Sequence, residues 1–209
     1  ILLNSLYGAL GNQYFRYFDL RIAEGITLSG QLSIKWAEKA LNEYLNKMLK
    51  SNEDYVIAID TDSLYVDMKP LVDAVKPKDP VAFIDRACEE KIVPMFAKSY
   101  QELSDQMNGF ENRMVMAREA IADKGIWTAK KRYILNVFNN EGVQYAEPKL
   151  KVMGIEAVKS STPQIVRDKF KKAYSIMLNS TEADLQKFVA DFYEEFKSLP
   201  PEDVSFPRG

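Results

Sequence analysis

An α+β fold is predicted by three features of this 209-residue chain. A long segment has helical apolar spacing, two short β-rich runs flank a polar quartet, and a later group of strands precedes two capped helices. Strands and helices are grouped rather than strictly alternating, which argues against a parallel βαβ design. From about Ile22 to Lys50, Ile26, Ile34, Trp36, Ala40, Leu41, Leu45 and Leu49 recur at three- and four-residue spacings with Lys and Glu between them, the pattern of an amphipathic helix. Tyr55 to Ile59 and Leu64 to Met68 are apolar and partly β-branched, separated by Asp60-Thr61-Asp62-Ser63, and are expected to form a strand, a tight turn and a strand. Asp79 to Gln106 has helical spacing, with a break or kink expected at Pro94 because proline lacks the backbone donor. Strands are expected at Arg113–Ile121, Lys131–Phe138 and Val143–Ala146, the last two joined by a turn at Asn139-Asn140-Glu141-Gly142. Thr162-Pro163 is expected to open a helix, and Thr181 to Asp184 reads as a capping box for another that ends near Leu199, before Pro200-Pro201.

Composition is that of a folded protein, 46% apolar and 28% charged, and a chain of this length can bury roughly 70% of its unfolded surface. No apolar run approaches the roughly 18 residues of a membrane helix, so no membrane partner is expected. The single cysteine, Cys88, cannot close a disulfide within the chain, and one Cys with no His cannot build a zinc site. A reducing, cytoplasmic setting is expected. The absence of His also removes the commonest general base and the Ser-His pairing, leaving carboxylates, lysines, tyrosines and metals. The opening Ile1-Leu2-Leu3-Asn4 has neither an initiator Met nor the plan of a signal peptide, so the chain is expected to begin inside a larger protein. Net charge is −2, but seven basic residues face three acidic ones from Lys124 to Lys159, whereas seven acidic face two basic from Thr181 to Asp203. The basic stretch is the natural candidate for polyanion contact.

Four groups of residues could carry chemistry. Asp60 and Asp62 at a hairpin tip could hold a hard dication such as Mg²⁺, which takes a few carboxylates plus substrate phosphates. They could equally accept backbone hydrogen bonds in an ordinary turn. Asn4-Ser5-Leu6-Tyr7-Gly8, followed by Gly11-Asn12, combines a polar side chain, a hydroxylated ring and exposed backbone near a helix end, which suits a flat base or a core tyrosine. Trp127 to Tyr133 places Lys130, Lys131 and Arg132 between aromatics, either for phosphates or as a solvated strand edge. Lys149-Leu150-Lys151, Gly154 and Lys159 to Pro163 add cations and a hydroxyl-rich helix start suited to phosphate or to simple capping.

Taken in order, Asn-Ser-Leu-Tyr-Gly, Asp-Thr-Asp-Ser, Arg-Glu-Ala-Ile-Ala, Lys-Lys-Arg-Tyr and Lys-x-x-Gly-Ile-Glu resemble the family B DNA polymerases, and most of all those of T-even-type bacteriophages. The resemblance is strong from Ile1 to about Pro163 and weaker beyond. It implies a polymerase palm with an antiparallel sheet backed by helices, plus the end of a fingers helix. Residues 1–20 would be that helix end and its connection, 21–160 the palm with its catalytic hairpin and primer-template strands, and 161–209 the C-terminal palm helices leading toward a thumb. Asp62 would be a bridging ligand for two Mg²⁺ ions, Asp60 the neighbouring motif aspartate, and Glu119 a further carboxylate close to that pair. The family members nearest in pattern often carry an acidic residue where Ala117 stands, which leaves the third carboxylate to Glu119. Asn4, Tyr7 and Gly8 would pack on the nascent base pair formed by a deoxynucleoside triphosphate. Lys130, Lys131, Arg132 and Tyr133 would contact primer-template DNA, with Lys151, Gly154 and Lys159 making nearby backbone contacts. The resemblance further implies an upstream portion holding the exonuclease, the fingers, a second metal aspartate and a triphosphate-binding lysine, a sliding clamp reached through a further C-terminal segment, and action as a viral protein in a bacterial host cytoplasm. Without the upstream portion, little or no polymerase activity is expected. Two other readings remain at this point: a noncatalytic or split-polymerase subunit that binds primer-template, and a metal-dependent glycosyltransferase using Asp60-x-Asp62, for which the basic segment would have no task.

Overall fold

The computed structural model describes residues 2–206, with side chains from Ser5 onward. The expectation for the Asn4 side chain and that for the last residues, 207–209, lie outside the described residues. The chain divides into two compact units at Arg118/Glu119, each with its own sheet.

In the first unit a short helix α1 (Leu2–Leu10) precedes the long helix α2 (Leu20–Leu49), close to its expected span. Asp19 caps α2: its carboxylate accepts the Arg21 backbone N–H at 2.9 Å. The hairpin follows as β1 (Val56–Asp60) and β2 (Ser63–Val66), antiparallel, with Asp60 opposite Ser63. Its base is tied to α2 by Asn42, whose side-chain oxygen accepts from the Tyr55 N–H at 2.9 Å while its amide donates to Asp54 at 2.8 Å. Helices α3 (Lys69–Val75) and α4 (Pro80–Ala87) lead through a π-helical turn (Cys88–Ile92) into α5 (Val93–Gln106). The break expected at Pro94 is absorbed by that wider turn. The Val93 N–H reaches back five residues to the Cys88 carbonyl, so the ladder loosens just before the residue with no donor. Ala37, Leu41 and Leu45 of α2 meet Tyr55, Val56, Ile92, Phe96, Tyr100 and Leu103 in one core, and the Trp36 indole donates to the Ser99 carbonyl at 3.0 Å.

Arg113 to Glu119 does not form the expected strand. Met116 packs on the helical core and Arg118 forms an ion pair with Asp85 of α4, so the alternation there serves packing against helices rather than a sheet ladder.

The second unit is a three-stranded antiparallel sheet in the order β3 (Ala120–Ala129), β4 (Arg132–Asn140), β5 (Val143–Met153). Strand β4 is central and its residues Tyr133 to Val137 are buried. The Glu141-Gly142 loop joining β4 to β5 has φ of 49° and 84°, the two left-handed residues that a tight hairpin needs. β5 runs well beyond the expected Ala146, passing through Pro148. An edge strand tolerates proline because one row of its donors faces no partner. After a 3₁₀ turn (Glu156–Val158), helices α6 (Gln164–Asn179) and α7 (Glu182–Ser198) and a final turn α8 (Pro201–Val204) complete the unit. Thr162 is buried and does not cap α6, whose N-cap is Pro163. Thr181 and Asp184 do form the capping box of α7. Ile134, Ile155 and Leu178 centre the core, flanked by Ile126, Leu150, Val152 and Tyr174.

Candidate metal centre and nucleic-acid interface

The β1–β2 turn is shorter than the polar quartet suggested, because Asp60 and Ser63 are paired strand residues and only Thr61 and Asp62 form the loop. Thr61 has φ of 54°, a left-handed conformation that costs a β-branched residue on the order of 1–2 kcal/mol. The Asp62 N–H folds back onto the Asp60 carbonyl at 2.6 Å, and the Ser63 hydroxyl donates to the same carbonyl at 3.1 Å. The Thr61 hydroxyl donates to the Asp60 carboxylate at 3.2 Å. Asp60 is half-buried and Asp62 is exposed at the tip. The donor set is therefore two hard carboxylates on a turn held in one conformation by its own hydrogen bonds. Such a set fits Mg²⁺, which takes one or two protein carboxylates and fills its shell with water and phosphate oxygens. Among the described residues no group of three or more His, Cys, Asp or Glu converges on one point.

On α1, Tyr7 and Gly8 are exposed, and a Cβ at Gly8 would meet nothing within 4 Å. The Tyr7 hydroxyl lies 2.7 Å from that of Thr27 on α2. Thr27 spends its own proton on the Ala23 carbonyl at 3.0 Å, so Tyr7 is the donor and its ring is fixed in orientation. The Tyr7–Thr27 pair spans 20 residues, and no sequence signal marks it.

In the second unit Ala129 pairs with Arg132. Lys130 and Lys131 are therefore the two loop residues of the β3–β4 hairpin rather than successive strand positions, and Lys131 has φ of 62°. Both are exposed. Arg132 is half-buried and ion-paired with Glu156, which also binds Lys159 at 3.2 Å. The Glu156 carboxyl is held below its ordinary range, first by its own backbone N–H and then by Lys159 and Arg132. Tyr133 is 6% exposed and faces inward, its ring 6.4 Å from that of Trp127. Glu119 pairs with Lys151, bringing together one residue expected beside the metal aspartates and one expected on DNA. Gly154, at φ of 65°, lies directly beneath the Lys131 carbonyl.

The model of DNA polymerase family B matches residues 1–202. The DNA-directed DNA polymerase of Enterobacteria phage T4 is 42% identical over 214 aligned positions, covering 95% of this chain and 24% of that protein. That of Escherichia phage RB69 is 45% identical over 197, covering 87% and 22%. A protein named DNA polymerase beta from African swine fever virus (isolate Warthog/Namibia/Wart80/1980) is 26% identical over 180, covering 80% and 14%. The chain thus spans about a quarter of the length of the two phage relatives. With a family model that runs over nearly all of its residues and two phage polymerases above 40% identity, the chain belongs to DNA polymerase family B.

Proposed function

We propose that this chain supplies half of the catalytic centre and part of the primer-template path of a DNA-directed DNA polymerase. The observation that carries the reading is the pair formed by Asp60 at the end of β1 and Asp62 in the hydrogen-bonded two-residue turn that follows. In the proposed reaction a primer 3′-hydroxyl attacks the α-phosphorus of a deoxynucleoside triphosphate and pyrophosphate departs, so no protein nucleophile is used. Asp62 and Asp60 would hold two Mg²⁺ ions, whose chemistry there is to stabilise the entering and leaving oxygens. Asp62, exposed at the tip, is assigned the principal ligand role. Asp60, oriented by the Thr61 hydroxyl, is secondary, and Glu119 is the candidate further carboxylate. The remaining ligand is assigned to an upstream palm segment.

Tyr7, with its hydroxyl anchored on Thr27, would present a ring of fixed orientation to the nascent base pair, with Gly8 leaving room for close approach. Asn4 is assigned to the same surface. Lys130 and Lys131 at the tip of the β3–β4 hairpin would meet DNA phosphates directly. Arg132, Lys151 and Lys159, each tied to a carboxylate, would act on the duplex with reduced charge, and buried Tyr133 would support the strand from within. Contacts of this kind are sequence-tolerant and weaken with salt. On this reading residues 1–20 are the end of a fingers helix and its connection, 21–160 the palm, and 161–209 the helices leading toward a thumb.

The partners proposed are primer-template DNA, a deoxynucleoside triphosphate, the upstream portion with exonuclease, fingers and remaining palm, and a sliding clamp, in the cytoplasm of an infected bacterium. The N-terminal half of α2 supports the upstream partner. Leu20, Ile22, Ile26 and Leu28 there are about half exposed and lie on more than one side of the helix, apolar surface that a larger polymerase would cover. The chain alone is accordingly expected to extend primers little or not at all. The test is primer extension by the chain co-expressed with the upstream portion, comparing wild type with Asp62→Ala. Activity should return with the wild type and fall at least about a hundredfold in the variant, an amount typical of a lost electrostatic contact in a transition state. Equal activity from both would remove Asp62 from the metal site.

A further inference from the structure

We propose that Gly154 is a positioning residue for the basic hairpin: the backbone of Lys131 rests on it, and this contact fixes where Lys130, Lys131 and Arg132 are presented to DNA. The inference rests on the proposed DNA-binding role of that hairpin. Its first support is register. Met153, the last residue of β5, pairs with Tyr133 of β4, so the next residue is delivered to the β3–β4 turn from 23 positions away. The second is space. A Cβ on Gly154 would overlap the Lys131 carbonyl oxygen, lie 3.1 Å from its carbonyl carbon and come within 3.4 Å of Arg132 Cγ. The obstructing atoms are backbone, so a side chain at 154 has to push the turn itself.

The third support is conformational. Lys131 holds φ of 62° in a two-residue loop, a position that ordinarily takes Gly, Asn or Asp. Left alone, a lysine there would favour other turn geometries, and the surface of Gly154 beneath its carbonyl restricts that freedom. The residues after Gly154 complete the clamp. Ile155 is buried with Ile134 and Leu178, which anchors the segment, and the Glu156 carboxylate pairs with both Arg132 and Lys159. Backbone contact, apolar anchor and charge thus act in three consecutive residues on one turn. Gly142 is a natural control. It also has positive φ, 84°, but a Cβ there would meet nothing within 4 Å, so it answers a backbone requirement without supporting a neighbour.

The experiment measures binding of a fluorescent primer-template duplex to the full 209-residue chain by anisotropy across a salt series. Wild type is compared with Lys131→Ala, Gly154→Ala, Gly154→Asn and Gly142→Ala, and circular dichroism reports folding. Asn is included because it enters the left-handed region more cheaply than Ala while still carrying the obstructing Cβ. Gly154→Ala and Gly154→Asn should bind about tenfold more weakly and lower the slope of log affinity against log salt by about 1, as for one lost phosphate contact. Gly142→Ala should stay within about twofold of wild type, well below the tenfold step. Wild-type binding by both Gly154 variants, with Lys131→Ala defective, would overturn the positioning role and leave the DNA role standing. Absence of binding by wild type, or wild-type binding by Lys131→Ala, would overturn the DNA role and the inference with it. A loss in Gly142→Ala equal to that in Gly154→Ala would trace the effect to backbone strain and overturn the inference. Unfolding of both Gly154 variants would make the contact a requirement of the fold instead, and would overturn it as well.

Discussion

At the scale of single residues, burial decides what the one thiol can do. Cys88 lies in the core beside α2 and α5, and its thiol is pushed up to about 11, mainly by burial, with Asp85 and Glu89 adding to the shift and Arg118 opposing it. At pH 8 only about one molecule in a thousand would carry the reactive thiolate. A disulfide-exchange reagent should therefore modify the native chain far more slowly than the guanidinium-unfolded chain. Comparable rates would show that the thiol is accessible and the core open. Thr61 makes the complementary point at the surface, where a β-branched residue at φ of 54° sits between the two hairpin aspartates. Backbone strain of this kind persists where surrounding hydrogen bonds over-determine the turn, here those of Asp62, Ser63 and Thr61 onto Asp60.

At the scale of elements, helix α2 depends on how it begins. The Asp19 carboxylate accepts from the Arg21 backbone and guanidinium, which together hold it at about 2, well below its ordinary 3.8, with the guanidinium the largest cause. Because the folded value is depressed, the stabilisation is fully present above about 4 and is lost as pH falls toward 2. The far-UV helical signal of wild type should thus fall more between about pH 4 and 2 than that of Asp19→Asn, since the amide still caps but does not titrate. Superimposable acid profiles would contradict this assignment. The two sheets show how hard strand ends are to read. Asp60 and Ser63 look like turn residues by type yet pair as strand ends, and Lys130-Lys131 look like strand yet form a turn. Of β3 only Ala120 and Ile121 fall within the expected strand, because Asp123, Lys124 and Gly125 interrupt the pattern of the remainder. Pro148 hid the extension of β5 because a proline normally ends a strand.

At the scale of the whole chain, each unit is held by its own core. Leu41 is 1% exposed among Ala37, Leu45, Tyr55, Val56 and Phe96, and these contacts seat the base of the β1–β2 hairpin on α2. Leu41→Ala should cost about 2–5 kcal/mol through lost burial and the cavity left behind, read as a lower urea midpoint. A shift corresponding to less than about 1 kcal/mol would mean that the core refills and the hairpin base does not depend on it. Charge is likewise handled within the unit. Acidic α7 is partly compensated by α6, where Lys169 pairs with Glu195 and lies over the Phe192 ring.

Local periodicity, caps and ordered motifs along the chain already specify the α+β class, the long helix α2, the hairpin that carries Asp60 and Asp62, the capping box of α7, and the family. Only the tertiary structure decided which side chains meet. It paired Glu119 with Lys151, set the Tyr7 hydroxyl on Thr27, turned Tyr133 inward, and laid the Lys131 carbonyl on Gly154. Those pairings follow from strand register and helix packing between residues 20 or more positions apart, and a one-residue change of register exchanges buried and exposed faces. Spacing within one element cannot encode such a choice, since it is made jointly by both partners.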